Sequence, residues 1–248
     1  MLNDVKFITS LTLIICCNSF ALEAIKTSAE IVIDGLPNDA SWQLAKWQPI
    51  DKLILGTQPS PDDFSAQFKI MWDKNNLYLL VEITDDILFD QHADPRYLYW
   101  DDDCLEVFID EDSSGGNHQF NFNAFAYHVA LDNQVVDIGE KNADGSDNIV
   151  LLNDHINSVW RRSEHSPNNV FWELAVRVYD DSFNLENSAI PVTLFLGKKL
   201  GFMLAYCDND GSKVREHFIG SHEIKSVKGT KNLGYITADV FENLTLIR

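Results

Sequence analysis

Past its first two dozen residues, the chain alternates apolar and polar positions in short runs bounded by turn-forming residues. Residues 66–72 read Ala-Gln-Phe-Lys-Ile-Met-Trp, residues 77–83 answer them, and Asp73-Lys74-Asn75-Asn76 lies between. This pattern predicts a hairpin. Further strands are predicted at 31–35, 105–109, 119–132, 170–178, 200–207 and 233–246. Helical spacing is confined to a single turn within 39–47, with Asp39 and Ser41 as caps. Polar loops occupy 86–102, 140–148, 163–169 and 208–212. Many short strands and almost no helix predict an all-β fold, a jelly-roll-like antiparallel β-sandwich in a single domain. Trp42, Trp72, Trp160 and Trp172 lie on short amphipathic segments and are expected in the core.

The start of the chain is different. Lys6 precedes the apolar run 7–17, and the small residues Ser19 and Ala21 follow. That is the layout of a secretory signal peptide, so residues 1–24 are expected to be a leader cut after Ala21 or Ala24, and 25–248 the mature domain. Ile14 and Ile15 stand where lipid attachment at Cys16 or Cys17 needs small residues, which favours a soluble exported protein, periplasmic or extracellular. No later stretch is apolar for long enough to span a bilayer.

Charge narrows the partners. The 19 basic against 38 acidic residues give a net charge of -19. Such a surface repels nucleic acid and anionic membrane, and it suits neutral ligands and divalent cations. Cys104 and Cys207 are the cysteines left after cleavage, and in an exported protein they can pair.

The densest chemistry lies in Trp100-Asp101-Asp102-Asp103-Cys104-Leu105-Glu106-Val107-Phe108-Ile109-Asp110. If the run is extended throughout, Trp100, Asp102, Cys104 and Glu106 share one face. A ring near a carboxylate can hold a sugar, the ring stacking on C–H groups and the acid accepting hydroxyl hydrogen bonds. The same acids suit Ca²⁺, a hard cation that takes carboxylate oxygens. A hairpin edge with solvated acids is the alternative. Gln119, Asn121 and Asn123 are expected on one strand face, where amides could line a sugar site.

The order of segments resembles the family 9 carbohydrate-binding modules. Ile33-Asp34-Gly35 through Asp39 to Trp42 is similar to that family's opening "IDG…D..W", and the run from Trp100 to Asp110 to its "W..DS.EIFID". Phe68 to Asp73, Leu77-Tyr78-Leu79, Thr84-Asp85-Asp86, Gln119-Phe120-Asn121, Phe171 to Ala175 and Gly201-Phe202 follow in the family's order. The resemblance implies a jelly-roll-like sandwich with bound Ca²⁺ and a shallow site where two tryptophans clamp the end of an oligo- or polysaccharide. By position, Trp100 matches the first ring and Glu106 the carboxylate, while Asp85 and Asp103 fall on the calcium-bearing loops. The family's arginine after "QF" is Asn121 here, its next glutamine is Ala205, and the second tryptophan has no counterpart in 221–232, where His222 is the only ring. Arg215 is a candidate to supply the missing cation.

Other classes find less support. There is no HExxH, no nucleophile elbow and no phosphate-cradling glycine loop. A haem-binding electron-transfer domain would draw on Met71 or Met203, and no CxxCH is present. A glycosidase needs two carboxyl groups across a cleft. An envelope sandwich that binds a partner without sugar remains the other alternative.

Overall fold

A computed structural model describes residues 21–187 and 189–248, so the apolar run 7–17 of the expected leader lies outside the described residues. The described residues form strands β1 (Leu22–Lys26), β2 (Gln48–Ile50), β3 (Lys52–Gly56), β4 (Phe64–Trp72), β5 (Leu77–Asp85), β6 (Cys104–Asp110) and β7 (Phe125–Ala130). They continue with β8 (Val135–Gly139), β9 (Asn148–Leu151), β10 (Ile156–Arg162), β11 (Asn169–Val176), β12 (Lys199–Asp208), β13 (His217–Gly220) and β14 (Glu242–Ile247). Helical structure among them is limited to 3-10 turns at Ala40–Gln43 and Ala238–Val240. The fold is all-β, as the alternation predicts.

Hydrogen bonding orders the strands β10-β11-β5-β4-β1-β14-β12-β6-β7-β8-β9, and the sheet curls so that its two halves face each other. Phe64 of β4 stacks on Tyr206 of β12 at 5.1 Å, and Phe68 meets Phe202 at 6.0 Å, although β1 and β14 separate those strands in the sheet. The period of two puts Leu77, Leu79, Val81 and Ile83 of β5 inside with Leu105, Val107 and Ile109 of β6. Trp42, Trp72 and Trp172 are buried, and Trp160 packs partly buried against the core.

The sheet is mixed rather than purely antiparallel, because β1 pairs parallel with both β14 and β4. β4 and β14 therefore run the same way, one on each side of β1. β1 begins at Leu22, inside the expected 1–24 leader, directly after the shorter of the two cleavage points.

Three predicted strands are cut back. Segment 31–35 makes no ladder: Val32 N–H donates to Asp39, and Asp34 and Gly35 N–H both donate to Glu173 at 3.0 Å. Asp39 thus serves the incoming chain rather than capping the helical turn. In 119–132 pairing starts only at Phe125, because Phe120 sits at φ 76° and breaks the extended chain. Within 233–246 only β14 is extended.

Glu173 ties the amino-terminal segment to the sheet. It is fully buried on β11 and also accepts Trp42 Nε1–H at 2.9 Å. Glu173→Ala leaves three donors without their partner and is expected to lower unfolding stability by about 3 kcal/mol. Urea unfolding measures this directly, and a loss under about 1 kcal/mol would mean water replaces the carboxylate.

The candidate site lies on the outward face of β6, where Cys104, Glu106, Phe108 and Asp110 point away from the main core. Register sets their neighbours. Glu106 is paired with His128 of β7 on one side and Ala205 of β12 on the other. Cys104 lies opposite Cys207, and both are free, buried thiols.

Candidate carbohydrate site

A cavity of about 340 Å³ opens over this face. Tyr99 and Trp100 from the loop before β6, Glu106, His128 and Arg215 line its floor and one side, while Gln119, Asn232 and Tyr235 come from loops. Ile138, Asp147 and Ile149 of the β8–β9 hairpin complete the wall.

Glu106 is 3% exposed, so its charge needs partners. Its Oε1 lies 2.9 Å from His128 Nε2, accepts Arg215 Nη1–H at 3.3 Å and accepts the Cys207 thiol at 3.0 Å. Burial opposes ionisation here, but His128, Arg215 and the thiol outweigh it, and the carboxyl pKa falls below its ordinary value. The Arg215 side chain is largely shielded from solvent, which lowers its pKa, yet Cys207 and Glu106 hold it above normal. Its guanidinium packs over Phe218 at 4.4 Å, which fixes the group laterally.

Trp100 is 38% exposed at the rim. The preceding turn swings it there: Leu98 adopts φ 48°, and Asp101 N–H closes the turn on the Leu98 carbonyl at 2.8 Å. A leucine in that region costs about 1 kcal/mol or more, and such strain collects at functional sites. Tyr99 buttresses the arrangement, its ring edge-on to Trp100 at 4.9 Å and to His128 at 4.5 Å. The run before β6 is therefore not extended, contrary to the common face read from alternation. Asp102 accepts N–H groups from Gln91 and His92, and Asp101 accepts Arg215 N–H, so both acids shape loops instead of lining the cavity.

A second centre sits at the ends of β5, β6 and β12. Oxygens of Asp85, Asp103 and Asp208 lie within 4.8 Å of one another, and all three residues are buried. Asp103 accepts Phe89 N–H at 2.6 Å and Asn209 N–H at 2.8 Å, and Asp85 accepts Tyr206 O–H at 2.8 Å. Asp208 Oδ2 has no hydrogen-bond partner. Burial raises all three pKa values, Asp85 to about 6, Asp103 to about 9 and Asp208 to about 8, with the Asp85 charge adding to the latter two. Three clustered acids and one orphaned oxygen fit a divalent cation.

Over residues 33–248 the chain matches the family described as Carbohydrate family 9 binding domain-like. The chain belongs to this family. A carbohydrate binding module family 9 from Caldicellulosiruptor kristjanssonii shares its fold at TM-score 0.64 and 19% identity. That module was solved in complex with cellotriose and with glucose; the match covers 91% of this chain and 93% and 96% of those chains. Exoglucanase XynX of Acetivibrio thermocellus is 29% identical over 115 residues, which are 46% of this chain and 10% of that protein. The chain thus spans about a tenth of the length of that curated relative.

In this family 9 domain, Trp100, Glu106 and Arg215 meet in the cavity, and Asp85 and Asp103 meet in the acid cluster. Asn121 and Asn123 do not line the cavity. They fold the 115–123 loop, Asn123 N–H donating to Asn121 Oδ1 and Asn123 Nδ2 to the Gly115 carbonyl. The turn at Phe120 that breaks the predicted strand also removes their common face. Gln119, the first of the three amides, stays in the wall. Tyr235, Asn232, Asp147 and Asp208 are among the residues that sequence reading did not assign to either centre, and His128, considered from sequence only as a zinc ligand, joins them. Tyr235 lies three positions beyond 221–232, where the family resemblance places the second ring. Met71 and Met203 are both fully buried in packing clusters.

Proposed function

We propose that this chain is an exported, non-catalytic carbohydrate-binding protein that holds a neutral glycan end, an oligo- or polysaccharide, with a structural Ca²⁺ nearby. The observation that carries this reading is a half-exposed Trp100 beside the buried, ionised Glu106 in a cavity that also contains Tyr235 and the amides of Gln119 and Asn232. Trp100 and Tyr235 offer stacking surfaces to sugar C–H groups, and Glu106 Oε2 and the amides take the hydroxyls. The Arg215 charge offsets that of Glu106, so a neutral ligand brings no uncompensated charge into the site.

The same geometry supports binding without catalysis. Glycoside hydrolysis needs a protonated carboxyl as acid, but Glu106 is held below the ordinary carboxylate range. The other carboxylate on the cavity wall, Asp147, is exposed. Asp85, Asp103 and Asp208 would hold Ca²⁺, which neutralises the cluster and ties the ends of three strands that carry the site.

The test is a glycan screen with mature, Ca²⁺-loaded protein, from monosaccharides to oligosaccharides. Saturable binding of neutral glycans supports the reading; a folded protein that binds none would make it an envelope sandwich serving another partner.

Export carries its own prediction. Cleavage after Ala24 would remove Leu22 and Ala24, both buried, together with their pairing to Leu244 and Leu246. The mature chain is therefore expected to begin at Leu22, read by amino-terminal sequencing of exported protein; a start at Ile25 would overturn this.

A further inference from the structure

Directly behind the glycan carboxylate lie two thiols that the binding reading leaves without a task. Cys104 opens β6 and Cys207 stands opposite it on β12. Residues directly opposed in an antiparallel pair have Cα atoms about 4.5–5.5 Å apart, inside the range of about 4.4–6.8 Å that a disulfide bridges. Both side chains are buried, and ligand atoms of Cys104, Cys207 and Glu106 all lie within 4.8 Å of one another. Cys207 is the link to the site: its thiol donates to Glu106 Oε1 at 3.0 Å, and Arg215 Nη1 rests 2.9 Å from its sulfur.

We infer that Cys104 and Cys207 are a redox-responsive pair, and that closing their disulfide weakens the glycan site by releasing Glu106 and Arg215 from the Cys207 thiol. The inference rests on the carbohydrate-binding reading for its consequence, but not for the bond itself. The chemistry is thiol–disulfide exchange with a small-molecule disulfide. One cysteine, as thiolate, attacks the reagent's S–S bond and expels one thiol; the second cysteine then attacks the mixed disulfide and expels the other. Two cysteine S–H bonds are lost, one S–S bond forms, and the reagent is reduced to two thiols. Because both sulfurs are buried, exchange takes place while the chain folds or during local opening at the strand ends, before the thiols are sealed in.

The bond changes the site in a definite direction. In a disulfide the sulfurs approach to about 2.05 Å and Cys207 has no proton to donate. Glu106 Oε1 loses a hydrogen bond, and Arg215 loses the sulfur that shares its Nη1. The guanidinium then engages Glu106 alone, and sugar hydroxyls must compete with that ion pair. Glycan affinity in the oxidised form is expected to fall about tenfold, the scale of rearranging one hydrogen bond to a charged group.

The experiment uses the full mature chain with Ca²⁺, refolded either in dithiothreitol or in an oxidised and reduced glutathione mixture. Thiols are counted after denaturation and the mass is measured intact. The expected oxidised product lacks both thiols and the mass of two hydrogens, binds glycan about tenfold more weakly and recovers on reduction. Cys104→Ser keeps the Cys207 donor and should bind like reduced wild type in both buffers. Thiols that remain free in the glutathione mixture overturn the pair, and a disulfide that leaves affinity unchanged overturns its coupling to the site. If even the reduced protein binds no glycan, the sugar reading fails separately. The coupling is then read from the His128 ring resonances, which must differ between the two redox forms because Glu106 is their shared neighbour; identical resonances overturn it.

Discussion

Glu106→Gln is expected to raise the glycan Kd by about a hundredfold or more, measured by titration calorimetry on folded, Ca²⁺-loaded protein. The substitution keeps volume and shape but removes the charge around which the site is arranged. Oε1 gathers His128, Arg215 and the Cys207 thiol. A neutral amide leaves the Arg215 guanidinium without its counter-ion, which costs stability, and it deprives the sugar hydroxyls of a charged acceptor, worth about 1.5–3 kcal/mol. Each decade of affinity corresponds to about 1.4 kcal/mol, so a hundredfold loss lies within that range. Trp100→Ala makes a useful contrast. Its ring is 38% exposed, so removing it should lower affinity about thirtyfold, on the scale of an interface anchor, with little change in melting temperature. Glu106→Gln, by contrast, should lower both affinity and stability. Equal glycan binding by wild type and Glu106→Gln would remove the carboxylate from the site.

The same carboxylate sets a pH limit. Its pKa in the folded protein lies below the ordinary value, so the charge contributes stability above the unfolded pKa, and that stability is lost as pH falls through the lower folded value. Glycan binding is therefore expected to persist at pH 5.

How much of this was legible in sequence depends on the range of the interaction. The β4–β5 hairpin is a local matter: alternation supplies both strands, and Asp73 Oδ1 accepts Asn75 and Asn76 N–H groups to make the turn. Trp100 and Glu106 stand in one short run whose composition alone suggests a ring and an acid. His128 is 22 positions from Glu106 and becomes its neighbour only through the β6–β7 register, which no local pattern encodes. Asp208 reads as the first residue of a polar loop, although it is the last of β12 and closes the acid cluster. Asn121 and Asn123 went the other way. Their spacing fits a strand face, but Phe120 adopts a left-handed conformation that alternation does not reveal. β1 was hidden for a different reason, since its first residues fall where the leader is expected to end.

Removing Ca²⁺ is expected to lower the melting temperature by about 8 °C at neutral pH. An ion present at about a hundred times its Kd stabilises by about 2.7 kcal/mol, and a domain of this size shifts by about 2–4 °C per kcal/mol. The dependence on pH separates a built site from adventitious binding. Without metal, burial pushes the carboxyls of Asp85, Asp103 and Asp208 up to about 6, about 9 and about 8, all above the ordinary carboxylate range. Raised values mean the metal-free fold prefers these groups protonated. That contribution is complete below the unfolded pKa and is lost as pH rises through 6, 8 and 9. Ca²⁺ needs the same oxygens deprotonated, so its stabilising effect grows over the same interval. Melting curves with Ca²⁺ and with a chelator should therefore nearly coincide at pH 5 and diverge progressively towards pH 9. Asp208→Asn is the decisive variant, because Asp208 carries the oxygen left without a partner. It removes one repelling charge, so the metal-free variant should melt above metal-free wild type at pH 8, while its response to Ca²⁺ should largely disappear. A gap between the two curves that ignores pH, or one that survives intact in Asp208→Asn, would place any bound Ca²⁺ elsewhere and leave the three buried acids as a cluster held together by protons.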